Sequence, residues 1–183
     1  MLEGKKINLR LMRESDIEEY VKLTENIIDN GEYWFGAPPS EFKVKKHFQE
    51  NGYWGEAHGK MLIVDKKDKM LGEINYFRTG TYRSDYEIGY RVFRPENRGK
   101  GYTSEAFRIF VSYFFALKPI ERLQVCVAEE NIPSLRVAEK IGFKYEGTLR
   151  NVFYIKGRYI NLKVFSMLKN EAKSLDDVLL ELK

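Results

Sequence analysis

A pair of glycines flanked by basic residues stands between a predicted strand and a predicted helix. Around Gly99 and Gly101 lie three basic residues, Arg94, Arg98 and Lys100. Glycine lets the backbone approach a ligand closely, and the unpaired N–H groups at the start of a helix attract an anion. These residue types therefore predict a phosphate-binding loop, with an ordinary solvated turn as the alternative.

Two common phosphate loops do not fit this segment. A P-loop requires a glycine, four residues, and then Gly-Lys followed by Ser or Thr. A dinucleotide-binding loop requires a third glycine at the position that Ser104 occupies in this chain. The segment therefore predicts another kind of anion-binding loop.

The residues on either side indicate which elements position this loop. Aromatic and β-branched residues predict a strand over 82–93, and apolar residues recur on one helical stripe over 104–117. A further strand is predicted over 120–128. The two strands and the helix between them form a unit whose strands can lie parallel through a right-handed crossover.

The rest of the chain predicts a mixed sheet flanked by helices. Further strands are predicted over 7–11, 61–64, 70–78, 143–154 and 158–168. Further helices are predicted after a capping box of Ser15 and Glu18, and over 41–49, 132–141 and 174–182. We therefore expect one α/β domain spanning 1–183, with its core over 7–168 and a mostly antiparallel sheet of about seven strands.

The composition narrows the class of protein. A chain of 183 residues with 43% hydrophobic residues is long enough for one core. No apolar run approaches the roughly 20 residues that cross a bilayer, and the first residues, including Glu3 and Asn8, lack the apolar core of a signal peptide. We therefore expect a cytoplasmic protein without membrane contact. The net charge of +4 is small and fits an anionic cofactor better than a nucleic acid.

The cysteine and the histidines carry no predicted chemistry. Cys126 is the only cysteine and lies in an apolar run, which favours a buried side chain over a nucleophile. His47 and His58 have no partners at the spacing of metal ligands, so we predict no metal site.

Three ordered motifs resemble those of one family. Arg98-Gly99-Lys100-Gly101-Tyr102-Thr103 resembles the acetyl-CoA loop of the GNAT superfamily of N-acetyltransferases, whose pattern is Arg or Gln, two residues, Gly, one residue, then Gly or Ala. Thr103 departs from that pattern, but Gly-Tyr-Thr-Ser-Glu-Ala is similar to the version in the ribosomal-protein N-terminal acetyltransferases of the RimJ/RimL type. The segments 9–16 and 131–143 also resemble that group, so the resemblance spans residues 7–168.

The resemblance implies a fold and a set of acetyl-CoA contacts. In this superfamily the two central parallel strands separate beyond the loop, and the pantetheine arm of acetyl-CoA enters the gap. The backbone of Val92 and Phe93 would then pair with pantetheine, and Asn131 would contact it or simply cap its helix. The pyrophosphate would lie on seven consecutive residues: Arg98, Gly99, Lys100, Gly101, Tyr102, Thr103 and Ser104.

Acetyl transfer to an amine requires a proton acceptor. Glu87 stands on the strand before the loop, where several GNAT enzymes place a catalytic glutamate. A carboxylate on a central strand is costly to bury unless it is paired or used. Because residues alternate along a strand, Glu87 also shares a face with Arg91, so a structural ion pair is the alternative. Glu73 on the neighbouring strand is the second candidate base.

The proton donor of the family is missing from its usual place. Many superfamily members have a tyrosine where this chain has Ala138. The RimJ/RimL type lacks it too and has a serine that matches Ser134, which implies a hydrogen bond to the sulfur of CoA. A bond from Ser134 to its own helix backbone is the alternative. The RimJ/RimL type also has a glutamate that matches Phe153, so its mechanism does not transfer in full.

Aromatic residues are the candidates for an acceptor pocket. Such a pocket can be walled by Tyr33, Trp34 and Phe35 in the early loop and by Phe153 and Tyr154 near the final turn, or these residues can pack at the edge of the core. Tyr-Trp-Phe followed by a proline also resembles the spermidine acetyltransferases. We expect an acetyl-CoA-dependent N-acetyltransferase, a monomer or homodimer, that acts on a primary amine of a peptide N-terminus or a small molecule. A non-catalytic acyl-CoA-binding module and a polyamine acetyltransferase are the alternatives.

Overall fold

The computed structural model describes residues 1–26, 29, 31–34, 38–80 and 86–183. In these residues the strands form an eight-stranded sheet in the order β1-β2-β3-β4-β5-β6-β8-β7. Every neighbouring pair is antiparallel except β5 and β6, which are parallel. The strands are β1 Leu2–Glu3, β2 Asn8–Arg10, β3 His58–Val64, β4 Met70–Arg78, β5 Tyr86–Val92, β6 Arg122–Ala128, β7 Lys144–Ile155 and β8 Arg158–Leu168.

Helices cover both faces of the sheet. They are α1 Ile17–Glu25, α2 Glu41–Asn51, α3 Tyr102–Leu117, α4 Ile132–Ile141 and α5 Leu175–Glu181. Side chains of α3, α4 and α5 share one hydrophobic cluster, and side chains of α1 and α2 share a second cluster with other residues of the sheet. Within the described ranges, no helix combines the length and the apolar composition needed to span a bilayer.

Alternation along the central strands produces the two faces. Ile74 on β4 and Ile88 on β5 lie in the cluster of α3, with neither side chain exposed. Phe93, which follows β5 directly, lies in the cluster of α1 and α2. Since neighbouring side chains of a strand point to opposite faces, Glu73 and Arg91 lie on the face of α1.

The parallel strands β5 and β6 separate soon after they begin. They pair only at Tyr86 with Leu123 and at Glu87 with Gln124. Beyond this point β5 remains paired with β4, and β6 remains paired with β8. The two strands therefore diverge and leave an opening with Glu87 at its apex. The sequence patterns did not show this separation, and only the family resemblance implied it.

The predicted fold class and order of elements are confirmed. The sheet has eight strands because Leu2–Glu3 forms a short extra strand on β2. Helix α4 covers the predicted residues, and β7 and β8 differ from prediction by at most one residue at each end. The strand predicted over 82–93 is β5, and its predicted first residues, 82–85, lie outside the described residues.

The predicted cap of the first helix is wrong. Ser15 lies within a short 3-10 turn, and α1 begins at Ile17. The Asp16 carboxylate accepts a hydrogen bond from the Arg13 backbone N–H at 2.7 Å. Glu18 pairs with Lys22 one turn along the helix instead. Asp16 is therefore the residue that precedes α1. Its carboxylate also accepts two hydrogen bonds from the buried Arg10 guanidinium, which fix it in place.

Candidate functional site

The glycine loop presents backbone amides at the start of α3. Gly99 and Gly101 have positive φ values of 73° and 82°, a conformation that favours glycine. The first bond inside the helix runs from the Glu105 N–H to the Gly101 carbonyl at 3.1 Å, and Gly101 has no side chain to cap the helix. Three amides therefore have no acceptor within the helix. They belong to Tyr102, Thr103 and Ser104, all half-buried.

A lysine from the N-terminal segment reaches this loop, a contact that no sequence pattern predicted. The Lys6 ammonium donates to the Lys100 carbonyl at 3.1 Å and lies 3.5 Å from the place of a Cβ on Gly101. The buried Glu105 carboxylate holds this segment, because it accepts hydrogen bonds from the N–H groups of Lys6 at 2.7 Å and Ile7 at 3.2 Å. The signal in the sequence that could have indicated this contact was Glu105, a glutamate in the first turn of α3 that needs a partner when it is buried.

The side chain of Arg98 has a partner outside the glycine loop. Its guanidinium donates to the Asp29 carbonyl, so it ties the segment around residue 29 to the glycine loop. Arg94 lies 4.0 Å from Glu96. The Lys6 ammonium is a cation that the structure places beside Gly101. That Arg94 and Arg98 supply charge at this loop stays a prediction from the sequence.

One of the two backbone positions expected to face the opening is already occupied. The Phe93 N–H donates to the Leu71 carbonyl at 3.0 Å, on the side of β4. Because consecutive residues of a strand direct their N–H and C=O groups to opposite edges, Val92 and Tyr90 direct theirs to the opening. The expectation is therefore corrected for Phe93, and the free backbone groups are those of Val92 and Tyr90.

Glu87 lies half-buried at the apex of the opening. Its Oε2 accepts hydrogen bonds from Gln124 Nε2 at 2.9 Å and from Cys126 Sγ at 3.2 Å. Both donors are neutral, and Glu87 has no ion-pair partner among the described residues. An ionised carboxylate at this position can therefore accept a proton from a bound amine.

Cys126 acts as a hydrogen-bond donor, a role that the sequence did not predict. Burial raises the pKa of its thiol, and the negative charge of Glu87 raises it further. The thiol therefore stays protonated and donates to Glu87. This agrees with the prediction that Cys126 is not a nucleophile, since the thiolate is the reactive form.

The predicted ion pair of Glu87 with Arg91 is wrong, because Arg91 binds Glu73. Arg91 Nη2 lies 2.8 Å from Glu73 Oε1, while the Lys60 ammonium and the Tyr20 hydroxyl each lie 2.9 Å from Glu73 Oε2. Burial favours the neutral acid, yet Lys60 and Arg91 together outweigh it and lower the pKa of Glu73 to about 2. Glu73 is 1% exposed and therefore unsuited to be the second candidate base.

Two of the three predicted acceptor residues lie beside the opening. The Arg91 guanidinium stacks on the Trp34 ring, with its Cζ 4.0 Å from the ring centroid. Tyr33 packs on the cluster of Ala128, Ile155 and Ile160, where β6 ends. The segment 33–34 therefore contacts both sides of the opening. Phe35 lies outside the described residues.

Tyr154 does not join these two aromatic residues. Its side chain is 59% exposed and contacts Tyr159, with ring centroids 5.1 Å apart, on the hairpin of β7 and β8. Its neighbour Phe153 packs on the same cluster as Tyr33. The alternation of the strand therefore directs Phe153 inward and Tyr154 outward.

The start of α4 forms the opposite wall. The Asn131 side chain accepts a hydrogen bond from the Ser134 N–H at 3.3 Å, so the capping alternative for Asn131 is confirmed. Within the described ranges, the Ser134 hydroxyl makes no hydrogen bond. The Tyr90 hydroxyl donates to the Ser134 carbonyl at 3.4 Å and so links β5 to α4 across the opening. Burial raises the pKa of Tyr90 to about 12. Ala138 is fully buried in the core.

The two histidines meet at the surface. His47 Nε2 and His58 Nε2 lie 2.5 Å apart, and the His47 ring stacks on Tyr53. The two residues lie on α2 and β3, so their sequence spacing gave no sign of the contact. In the part of the chain that the structure describes, no group of three or more candidate metal ligands occurs.

Comparisons with known proteins found a matching family model and several relatives. Residues 6–144 match the family model described as Acetyltransferase (GNAT) domain. The uncharacterized N-acetyltransferase p20 of Bacillus licheniformis is 33% identical over 117 residues, which are 64% of this chain and 65% of that protein, just under two thirds of its length. The putative ribosomal N-acetyltransferase YdaF of Bacillus subtilis is 29% identical over 177 residues, covering 90% of this chain and 92% of that protein.

A solved structure shares the fold. The crystal structure of spermidine N-acetyltransferase from Vibrio cholerae in complex with CoA and spermine superposes with a TM-score of 0.78. The sequence identity is 23%, and the match covers 91% of this chain and 98% of that chain.

Proposed function

The chain belongs to the GNAT family of acetyltransferases, and from this premise we propose that it transfers the acetyl group of acetyl-CoA to a primary amine. The observation that carries the proposal is the opening between β5 and β6. Free amides lie at the loop that follows β5. The Glu87 carboxylate, which has no ion-pair partner among the described residues, lies at the apex of the opening. A cytoplasmic location and a monomeric or homodimeric state stay predictions from the sequence.

The residues around the opening fit acetyl-CoA. The amides at the start of α3, with Lys6 and Lys100, form a site for an anion such as the pyrophosphate. The free backbone groups of Val92 and Tyr90 suit an extended amide chain such as pantetheine, because an extended chain pairs with an unpaired strand edge. Acetyl-CoA supplies an acetyl group on an activated thioester.

Glu87 and Ser134 have different roles in the acetyl transfer. As the amine nitrogen bonds to the acetyl carbon and the carbon–sulfur bond breaks, Glu87 takes the proton that the nitrogen loses. The hydroxyl of Ser134 donates a hydrogen bond to the departing sulfur, which then takes a proton from solvent. Ser134 suits this role because its hydroxyl has no other partner among the described residues.

The charges near the opening favour an acceptor with one amine over a polyamine. Glu73, Glu130 and Glu146 are each bound by a basic side chain, with closest distances of 2.8 Å, 2.5 Å and 2.8 Å to arginine. A polyamine carries several ammonium groups, which require carboxylates that are not already paired. Similarity to the putative ribosomal N-acetyltransferase supports a peptide N-terminus, and the fold shared with the spermidine enzyme supports the polyamine alternative.

An acceptor panel tests the function. Thiol release from acetyl-CoA is measured with peptides of different N-termini, with monoamines, and with spermidine and spermine. We expect the highest kcat/KM for a peptide or a monoamine. A maximum for spermidine would establish the polyamine alternative. Acetyl-CoA binding without thiol release for any amine would indicate a binding module.

Replacing Gly101 by valine should weaken acetyl-CoA binding by tenfold or more, equivalent to at least ~1.4 kcal/mol. A side chain there blocks close approach of the loop backbone, and the positive φ of 82° strains a β-branched residue. The dissociation constant is measured by calorimetry. Gly52→Val is the matched control, because Gly52 has a φ of 61° at the end of α2 with open space around it. Unchanged affinity in folded Gly101→Val protein would contradict the proposed loop.

A further inference from the structure

A chain of hydrogen-bonded side chains crosses the sheet and ends at Glu87. Arg122 Nη2 donates to Glu146 Oε2 at 2.8 Å, and Arg122 Nη1 donates to Gln124 Oε1 at 2.8 Å. Gln124 Nε2 then donates to Glu87 Oε2 at 2.9 Å. The Ser166 hydroxyl adds a hydrogen bond to Glu146. The four strands β5, β6, β7 and β8 each contribute a member.

The partners of Gln124 fix the orientation of its amide. The two ends of a glutamine amide are nearly identical in shape, so its orientation follows from its neighbours. A guanidinium only donates hydrogen bonds, and a carboxylate only accepts them. The carbonyl must therefore point to Arg122 and the NH2 group to Glu87. The flipped amide would lose both bonds and oppose like partial charges.

This orientation determines which oxygen of Glu87 is available. Gln124 and Cys126 both donate to Oε2. Oε1 accepts no hydrogen bond from the described residues and remains open to a substrate. The neighbouring β4 places the uncharged Phe77 opposite Glu87. The groups that hold the carboxylate are therefore two neutral donors from β6, and one of them is itself held by Arg122.

We infer that Gln124 is a positioning residue for the acetyl transfer, fixed by Arg122 and Glu146, and that it holds the Glu87 carboxylate with Oε1 directed at the acceptor amine. This inference rests on the proposed function of Glu87. A donor to the ionised form stabilises that form, and a fixed carboxylate accepts a proton without first reorienting.

Gln124→Glu is the most informative variant. It keeps the shape, lets the new carboxylate bind Arg122, and places a second negative charge against Glu87. Like charges disfavour ionisation, so the acidic limb of the kcat/KM profile should move to higher pH by about one unit or more. At a pH on the acidic limb kcat/KM should fall about tenfold, with the acetyl-CoA dissociation constant and the melting temperature near wild type. Gln124→Met, which removes the amide without adding a charge, should lower kcat without moving the limb as far.

Gln49→Glu is the matched control, because it adds the same charge at an exposed position of α2. Its pH profile should superpose on that of the wild type. An unmoved acidic limb in Gln124→Glu would overturn the inference. If Gln124→Glu lowered both the melting temperature and the activity but left the acidic limb unmoved, the role of Gln124 would be purely structural. That result would overturn the inference too.

A carboxyl titration separates this inference from the proposed function. Carbon-13 NMR of glutamate-labelled protein follows the Glu87 carboxyl, identified by the signal that Glu87→Gln lacks. Its titration midpoint should rise in Gln124→Glu and stay unchanged in Gln49→Glu. A risen midpoint in a protein that acetylates no amine would retain the contact and reject the function. An unmoved midpoint in an active enzyme would reject the contact and retain the function.

Discussion

Replacing Glu87 by glutamine is expected to lower kcat by roughly 10²–10⁴-fold, while acetyl-CoA affinity stays near wild type. Glutamine keeps the shape of the side chain but accepts no proton at neutral pH. The half-buried position and the two neutral donors leave Glu87 as the carboxylate available to the acceptor amine. The acidic limb of the pH–rate profile should disappear with it. Thiol release across pH and calorimetry with acetyl-CoA measure the two quantities separately.

Glu19→Gln provides the control for this variant, since Glu19 is exposed on α1 and far from the opening in sequence. It should leave kcat unchanged. Near-normal turnover in Glu87→Gln would reject Glu87 as the base. Because Glu73 is bound by Lys60 and Arg91, the proton acceptor would then be solvent or a group of the substrate.

Local signals explain why the loop and most elements were predictable. Two closely spaced glycines, an alternating strand before them and an apolar stripe after them are all short-range patterns. Helix α4 was predicted to the residue, because Asn131 caps its start and Gly142 ends it with a positive φ of 103°.

Lys6 was missed because its position depends on a contact between distant parts of the chain. Glu105, which binds its backbone, lies 99 residues away in sequence. No spacing rule connects the two residues. The pairing of β2 in the sheet and the burial of α3 bring them together, and both are properties of the tertiary structure.

The partner of Arg91 was predicted wrongly for a geometric reason. Glu87 and Arg91 share a face, but residues four apart on a strand are separated by about 13 Å. Glu73 lies directly opposite Arg91 in the register of β4 and β5. Directly opposite residues have Cβ atoms roughly 5 Å apart, so the cross-strand partner is favoured. The sequence alone does not define that register, and the predicted alternative for Glu87 failed with it.

Acid should weaken the fold through Glu73. Its pKa is lowered from 4.5 to about 2 in the folded protein, so its stabilising contribution is complete above pH 4.5 and is lost as pH falls toward 2. The contribution lost over this window is about 3 kcal/mol, because each pKa unit corresponds to about 1.4 kcal/mol. Urea unfolding at pH 7, 4.5, 3 and 2 measures it.

Glu73→Gln should therefore lower the free energy of unfolding at pH 7 by about 3–5 kcal/mol and remove this part of the acid dependence. The loss is large because Lys60 and Arg91, with side chains 16% and 5% exposed, would keep their charges without a carboxylate between them. Glu18→Gln is the control: it breaks the exposed pair with Lys22 and should change stability little, since solvent screens such pairs. If Glu73→Gln and Glu18→Gln lost equal stability, the ion pairs of Glu73 with Lys60 and Arg91 would not be a main contribution to the stability of the fold. If Glu73→Gln does not fold, the acid titration of the wild type alone still decides, because an absent loss between pH 4.5 and 3 would contradict the ion-paired state of Glu73.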